Sequence, residues 1–431
     1  MTKLIKKINN LKLIIFIFCF LFAPPFIKSF NLIFIVFGYS LIMIILKYRT
    51  KMKKILNINC FRKIFTILFI YLCVYTLSVL INCLIDEERY LSNYIINFYT
   101  LMLTFPITIT CSLYLIFRCD ELNINFDEAI RLFIMAGLIQ TIIAVLTLLF
   151  PTLKKITITI MYTATGDKLL NTPWIAERRF FGFANSMLDS FGFGTGILAT
   201  LPIFYAAKTG KKIYYLFSPI LLIVPMLNSR SGLVMFIIGL GVYFVYLGAK
   251  KTIKFGAYCK YFIIILLLLS LGIYIVNVYS PNTITWIIKD IKSFISSEST
   301  TGTATQLFSN AFWQLPSTMG LLIGTGHNIS GYSDYSVEGI EHSDVGYVNE
   351  LWKAGIIGSV LLYYSIYYII NRALKNTENN YYKAMFITFA IASFTFLIKA
   401  TIFSYNPGIV IIYTLSLMTI YISNKNKSPQ C

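Results

Sequence analysis

The chain has 431 residues, of which 57% are hydrophobic and only 13% are charged, with a mean hydropathy of +0.72 and a net charge of +19. This composition lies far outside the range of soluble domains and excludes a soluble enzyme or binding module. The basic residues form short clusters between apolar runs, a pattern that argues against nucleic acid as a partner.

The apolar runs predict transmembrane helices. A bilayer core about 30 Å thick needs roughly 20 apolar helical residues to cross it. We therefore predict an all-α, polytopic integral membrane protein of about 12 helices, forming a single membrane domain over residues 1–431. The first run begins with lysines, as a signal peptide does, but no small-residue cleavage motif follows, so a retained helix is expected. The predicted spans are 11–27, 30–46, 64–83, 94–117, 132–150, 186–206, 213–228, 231–248, 261–278, 346–370, 382–399 and 407–422.

The distribution of lysine and arginine predicts the orientation. With these spans, 25 of the 37 basic residues fall on one side, which also carries both termini. Cytoplasmic loops are enriched in lysine and arginine, so that side is expected to be cytoplasmic. Residues 151–185 and 279–345 then form a first external loop and a large external loop. Connections of this length usually carry function.

Two arginine-containing segments stand at the external boundary. The first external loop ends at Arg178 and Arg179, whose planar guanidinium groups suit bidentate binding of phosphate. The other reading is an interfacial anchor in which these side chains reach towards lipid headgroups. Residues 228–232, Asn-Ser-Arg-Ser-Gly, form a polar hinge between two apolar runs. Arg230 therefore lies close to the membrane or within it, where an ionisable side chain marks a functional site, unless it only contacts lipid phosphates.

The end of the large external loop holds the third candidate group. His342 lies beside Glu341 and Asp344 and ahead of Glu350, and histidine is the side chain best suited to proton transfer near neutral pH. The alternative is a solvated loop histidine. His327 and His342, the two histidines of the chain, have no metal-ligand spacing, so neither a metal nor a cofactor is predicted. Gly192, Gly194 and Gly196 lie inside a span, where close helix packing is the expected reason for small residues.

Taken in order, these segments resemble the O-antigen polymerase and O-antigen ligase superfamily. The resemblance rests on Arg-Arg-Phe-Phe-Gly-Phe-Ala-Asn at 178–185, on the hinge at 228–232, and on the loop that ends in Gly-x-Gly at 324–326. His-Ser at 342–343 and Gly-Ile-Ile-Gly at 355–358 complete it. It covers about 180 residues, from 178 to 358.

The resemblance implies a metal-independent, C-type membrane glycosyltransferase of the bacterial cytoplasmic membrane. Such a polymerase joins undecaprenyl-diphosphate-linked oligosaccharides into O-antigen or capsular-type polysaccharide at the outer face. By the same resemblance, Arg178, Arg179 and Arg230 bind diphosphate, and His342 or Asp344 handles the acceptor hydroxyl. The spacing to the Gly-Ile-Ile-Gly motif leaves the choice between His342 and Asp344 open. Membrane lipids, a chain-length regulator and a flippase are the other implied partners.

Two alternatives share part of this pattern. The O-antigen ligase, which transfers finished glycan to a lipid A core, has the same motifs. A flippase or another transporter for lipid-linked oligosaccharides would have the same number of spans. Transporters usually show internal symmetry and broken helices near the membrane midplane, whereas the polar residues here are concentrated in one external loop.

Overall fold

The computed structural model describes residues 2–27, 30–84, 87–165, 179–184, 188–250, 310–326, 329, 343–403 and 405–427, together with single positions between 263 and 288. Over these ranges the protein is all-α apart from a two-stranded antiparallel hairpin, β1 (Pro25–Ile27) and β2 (Phe30–Asn31). A 3₁₀ turn covers Asn310–Trp313. The α-helices are α1 (Thr2–Phe22), α2 (Leu32–Leu46), α3 (Arg49–Leu56), α4 (Asn59–Cys83), α5 (Glu87–Glu121), α6 (Phe126–Leu149), α7 (Pro151–Thr165), α8 (Leu188–Thr209), α9 (Tyr214–Asn228), α10 (Arg230–Ala249), α11 (Thr318–Ile323), α12 (Gly346–Asn376), α13 (Asn380–Phe396) and α14 (Pro407–Lys427).

Several of these helices could cross a membrane, which agrees with a multi-pass membrane protein. Among the described residues, α4, α6, α8, α10, α12 and α14 are long and apolar enough, which makes six candidates. A seventh is counted if α2 and α3, which are bent by 88° at their junction, form one span. α9 has only 15 residues and contains Pro219 and Pro225, so it is short for a bilayer crossing.

The turn between α5 and α6 gathers basic side chains from distant parts of the chain at one end of the bundle, here named the basic end. Its acidic residues bind lysines of α1, α3 and α14 and of the α2–α3 junction. Three of the basic clusters that the sequence predicts on one side, at the amino terminus, at 47–63 and at the carboxy terminus, therefore meet at this end. The ion pairs, 2.5 to 3.4 Å long, are Lys6–Glu128, Lys47–Glu121, Lys51–Asp120 and Lys425–Asp120.

Glycines allow α8 to pack closely against its neighbours, as the sequence predicted. A Cβ atom on Gly192 would lie 2.5 Å from the Ser229 side chain, and one on Gly196 would lie 2.3 Å from the backbone of Gly232. On the side facing α14, a Cβ on Gly194 would lie 2.5 Å from the backbone nitrogen of Gly408. Any larger side chain would push these helices apart, which places α8 at the centre of the bundle, between α10 and α14.

Both segments expected to be external loops contain helix. Residues 151–165 form α7, which begins at Pro151 and packs against α6 and β1. The sequence did not predict this helix, because its alternating threonines and isoleucines are β-branched residues with low helix propensity. Thr157 and Met161, four residues apart, are nevertheless both buried. In the large loop, the described residues include the 3₁₀ turn and α11.

Candidate functional site

Arg179 begins an irregular segment, residues 179–184, that is fixed against α6 and α9. Asn228, the last residue of α9, accepts a hydrogen bond from the Phe180 nitrogen at 2.9 Å and donates one to the Phe180 oxygen at 2.8 Å. Gln140 of α6 donates to the next carbonyl along the segment at 2.5 Å. The segment is therefore held by side chains, since it has no regular secondary structure of its own.

Arg179 itself is buried, with 8% of its surface exposed. A second cation lies next to the residue that follows Arg179: the Lys154 ammonium of α7 is 3.7 Å from the centre of the Phe180 ring. α7, which forms the first half of the expected loop, therefore brings Lys154 next to the segment 179–184. Arg178, the other predicted phosphate ligand, lies outside the described residues.

The predicted hinge at residues 228–232 is a real break between α9 and α10. Ser229 is extended (φ −158°, ψ 130°), and α10 begins at Arg230. Asn228 is fully buried and also donates to the Val224 carbonyl at 2.8 Å. The backbone of Arg230 is thus placed at the first position of α10, whereas its side chain lies outside the described part of the structure.

The hinge is bound to the first turn of α8 through Asp189. The Ser229 hydroxyl donates to Asp189 Oδ1 at 2.9 Å, and the Ser231 hydroxyl donates to the Asp189 carbonyl oxygen at 3.2 Å. The two serine oxygens are 2.6 Å apart. Both serines of the Asn-Ser-Arg-Ser-Gly segment therefore serve to orient the hinge against α8, leaving Arg230 between them.

Lys399, in the turn after α13, joins this group to the end of the large loop. Its ammonium lies 3.6 Å from Asp189 Oδ2 and 3.0 Å from Asp344 Oδ2. Burying the ammonium is unfavourable by itself, and the two carboxylates offset that cost. One positive charge is thus shared by two carboxylates that are 155 residues apart in the chain.

The residues after His342 are held firmly. The Ser343 nitrogen donates to the Ile329 carbonyl at 2.8 Å, and its hydroxyl donates to the Phe312 carbonyl at 2.6 Å. Asn349 donates to the Ser343 carbonyl at 2.8 Å. His342 lies outside the described residues, but the position that follows it in the chain is fixed by these three hydrogen bonds.

Glu350 is a buried carboxylate at the start of α12. Its side chain is 1% exposed and accepts a hydrogen bond from the Thr401 hydroxyl at 2.5 Å. The Lys353 ammonium lies 3.5 Å from the same oxygen. Because Thr401 belongs to the turn that also carries Lys399, Glu350 fixes that turn to α12.

The Gly-x-Gly motif at 324–326 contacts the Gly-Ile-Ile-Gly motif at 355–358. α12 is kinked at Gly355 (φ 61°, ψ −171°), and the kink releases carbonyl groups from the helical hydrogen-bond ladder. The Thr325 nitrogen binds the Trp352 carbonyl at 2.7 Å, and the Gly326 nitrogen binds the next carbonyl at 3.2 Å. A Cβ on Gly355 would lie 2.4 Å from the Gly324 nitrogen. These glycines therefore have a structural role, closing the loop onto the kink.

These contacts connect three motifs that are distant in sequence. Arg179 is linked to the hinge through Phe180 and Asn228, and the hinge is linked to Asp344 through Asp189 and Lys399. Asp189 and Lys399 were not predicted as site residues. Lys399 could have been noticed as a basic residue at the external end of a predicted span, the end that holds few lysines.

Replacing Asn228 with alanine is expected to release the Arg179 segment. The change leaves the buried nitrogen and oxygen of Phe180 unsatisfied, at a cost of about 3 kcal/mol. We expect a lower melting temperature in detergent and faster tryptic cleavage after Arg179, read as a new N-terminus at Phe180. Asn371→Ala, which removes only one exposed 3.4 Å hydrogen bond, is the control. Unchanged melting and cleavage in Asn228→Ala would contradict this role.

Among the described residues, no group of three or more histidine, cysteine, aspartate or glutamate side chains could hold a metal ion. The described side chains that meet in the site are cations, carboxylates and hydroxyl groups. The chain matches no family model, no curated protein and no solved structure.

Proposed function

We propose that this protein is a membrane glycosyltransferase that polymerises undecaprenyl-diphosphate-linked oligosaccharides. The single observation that carries the proposal is the convergence of the Arg179 segment, the hinge and the Asp344 segment into one group joined by hydrogen bonds and ion pairs. The first two of these segments, and the His-Ser pair that precedes Asp344, are among the segments by which the chain resembles the O-antigen polymerase and ligase superfamily. In this proposal the chain crosses the bacterial cytoplasmic membrane 12 times, with the basic end and both termini in the cytoplasm.

The transfer reaction needs cationic groups at the leaving diphosphate. The bond between the sugar C1 and the phosphate oxygen breaks, and negative charge develops on the lipid diphosphate as it leaves. Preorganised cations lower the energy of that transition state. Arg179 is suited to this task because its segment is already fixed, so it needs little reorganisation. Arg178 and Arg230 are the other proposed ligands, and Lys154, above the Phe180 ring, adds positive charge to the same region.

The acceptor requires a group that orients its hydroxyl and removes its proton. A sugar hydroxyl of the second lipid-linked unit forms the new bond to C1, and its proton passes to a base. His342 and Asp344 are the candidates. The Asp344 carboxylate is already bound to Lys399 at 3.0 Å, which suits it to positioning, and this leaves His342 as the proposed base. The resemblance implies that this transfer is metal-independent.

A deletion strain tests the proposal against its alternatives. Loss of a polymerase should leave single repeat units on the surface acceptor where the organism has one, because export and attachment continue. Loss of a ligase should leave long polymer on the lipid carrier, and loss of a flippase should trap single lipid-linked units at the cytoplasmic face.

The measurement is extraction and sizing of lipid-linked glycans together with sizing of the surface polysaccharide. Complementation with the wild-type chain is the positive control. A strain with the Arg230→Ala chain at equal protein level should resemble the deletion, since loss of a transition-state contact costs on the order of 3 kcal/mol, or about a hundredfold in rate. Long undecaprenyl-linked chains in the deletion strain would rule out a polymerase.

A further inference from the structure

The helix α3 runs across the basic end of the bundle. The axis of α3 is bent by 88° from the axis of α2. If α2 crosses the membrane along the bilayer normal, α3 lies nearly parallel to the membrane surface. α3 has the sequence Arg-Thr-Lys-Met-Lys-Lys-Ile-Leu, with Ile55 buried against the protein and Arg49, Lys53 and Lys54 exposed. A short helix with this division of apolar and basic residues lies in the plane of the membrane interface.

The positive charge of this surface is not neutralised by the described protein. No acidic residue occurs between positions 47 and 63. Lys47 and Lys51 are paired with the α5–α6 turn, as described above. Arg49, Lys53 and Lys54 form no ion pair with another described residue. The surface therefore carries three exposed cations that no other described residue neutralises.

Two further cations lie on α4, which packs against α3, and on α12, which packs against α4. The Lys63 ammonium lies 5.0 Å from the centre of the Tyr368 ring, and the Arg372 guanidinium carbon lies 5.2 Å from it. Two positive groups from two helices thus share one aromatic ring. Two cations around one ring raise the local positive potential, which a bound anion would lower. The nearest acidic residue along α12 and the turn after it is Glu378, which forms no ion pair among the described residues.

The surroundings of these cations favour a lipid over a soluble anion. Directly beside α3, the end of α2 exposes Ile45 (58%) and Leu46 (77%), and α4 exposes Phe69 (67%). Large apolar side chains at this exposure face the acyl chains of a bilayer. A phospholipid whose tails lie along α2 and α4 would therefore place its headgroup phosphate among the α3 cations.

We propose that this surface, formed by Arg49, Lys53 and Lys54 of α3, Lys63 of α4 and Arg372 of α12, binds the headgroups of anionic phospholipids in the leaflet at the basic end. The proposal is independent of the glycosyltransferase function, because it concerns the opposite end of the bundle. Lipids with a net negative charge, such as phosphatidylglycerol, should bind in preference to zwitterionic phosphatidylcholine.

Native mass spectrometry of the full chain in detergent tests this preference. The wild-type protein, given equal amounts of phosphatidylglycerol and phosphatidylcholine, should retain mainly phosphatidylglycerol. Each cation near an anionic headgroup is worth about fivefold in affinity, so the triple variant Arg49→Gln, Lys53→Gln, Lys54→Gln should reduce the preference at least tenfold. All three side chains are exposed, and an unchanged melting temperature without added lipid will show that the fold is intact.

The matched control removes the same charge elsewhere at the basic end. Lys208, Lys211 and Lys212 are also exposed and lie at the junction of α8 and α9. Changing all three to glutamine should leave the lipid preference within about twofold of wild type. An equal loss in both triple variants would show a general charge effect and overturn the proposal, as would no loss in either. Displacement of phosphatidylglycerol by an excess of inorganic phosphate would show a soluble-anion site instead.

Discussion

Replacing Lys399 with methionine is expected to reduce polysaccharide synthesis about a hundredfold. Without the ammonium, the carboxylates of Asp189 and Asp344 remain close together with no positive charge between them. Removing one member of a largely buried ion pair costs about 3 kcal/mol. The hinge and the Asp344 segment would move apart, and a shift of about 1 Å in a reacting group can lower a rate about a hundredfold. The measurement is polymer formed per unit of membrane-inserted protein in a complemented deletion strain.

Further variants of this group separate positioning from folding. Lys399→Arg keeps the charge and should retain a large part of the activity. Combining Lys399→Met with Asp189→Asn removes the surplus negative charge, so the melting temperature should recover while activity stays low. Lys6→Met, which breaks an exposed 3.4 Å ion pair at the basic end, is the control and should have little effect. Wild-type polymer levels in Lys399→Met would show that this bridge has no role in the reaction.

Replacing Gly355 with alanine is expected to lower the free energy of unfolding more than the Asn228 and Lys399 substitutions do. The residue has a positive φ of 61°, which is unfavourable for a side chain, and its Cβ would lie 2.4 Å from the Gly324 nitrogen and 2.5 Å from the Leu322 backbone. Backbone atoms cannot rotate away as a side chain can. Strain and overpacking together should cost on the order of 4 kcal/mol.

The melting temperature of the purified chain in detergent, together with the yield of inserted protein, measures this effect. Gly241→Ala is the matched control, because a Cβ at this helical position meets nothing within 4 Å. That change should be neutral or slightly stabilising, since alanine favours a helix over glycine by up to about 1 kcal/mol. A melting temperature for Gly355→Ala equal to that of the control would contradict a structural role for the kink.

The features that could be predicted from sequence are those that depend on local pattern. Apolar runs predicted the six or seven described helices that could cross a membrane, the polar group at 228–232 predicted the break before Arg230, and small residues predicted the close packing of α8. α7 was missed because its alternating threonine and isoleucine do not show a helical period. The bend between α2 and α3 was missed because a basic cluster after a span was taken for a loop.

The links within the candidate site could not be predicted, because they join residues far apart in the chain. Asp189 meets Lys399 across 210 positions, and no periodicity or spacing marks either residue as the other's partner. The glycine motifs were recognised by their residue types, but their mutual contact depends on a kink inside α12 that hydropathy does not reveal. Charge and hydropathy therefore predict the two ends of the bundle, and only the fold shows which side chains meet there.

The ion pairs of the basic end set an order for assembly during synthesis. Asp120 binds both Lys51, which precedes it, and Lys425, which follows it by 305 residues. A ribosome adding about 5 to 20 residues per second needs roughly 15 to 60 s to cover that interval. During this time Asp120 can pair with Lys51 alone, so the amino-terminal helices can associate before the carboxy-terminal ones exist. The last helix, α14, then adds the Lys425 contact to an Asp120 that is already paired with Lys51. A chain whose synthesis stops before α14 would lack this contact between the amino-terminal and carboxy-terminal helices.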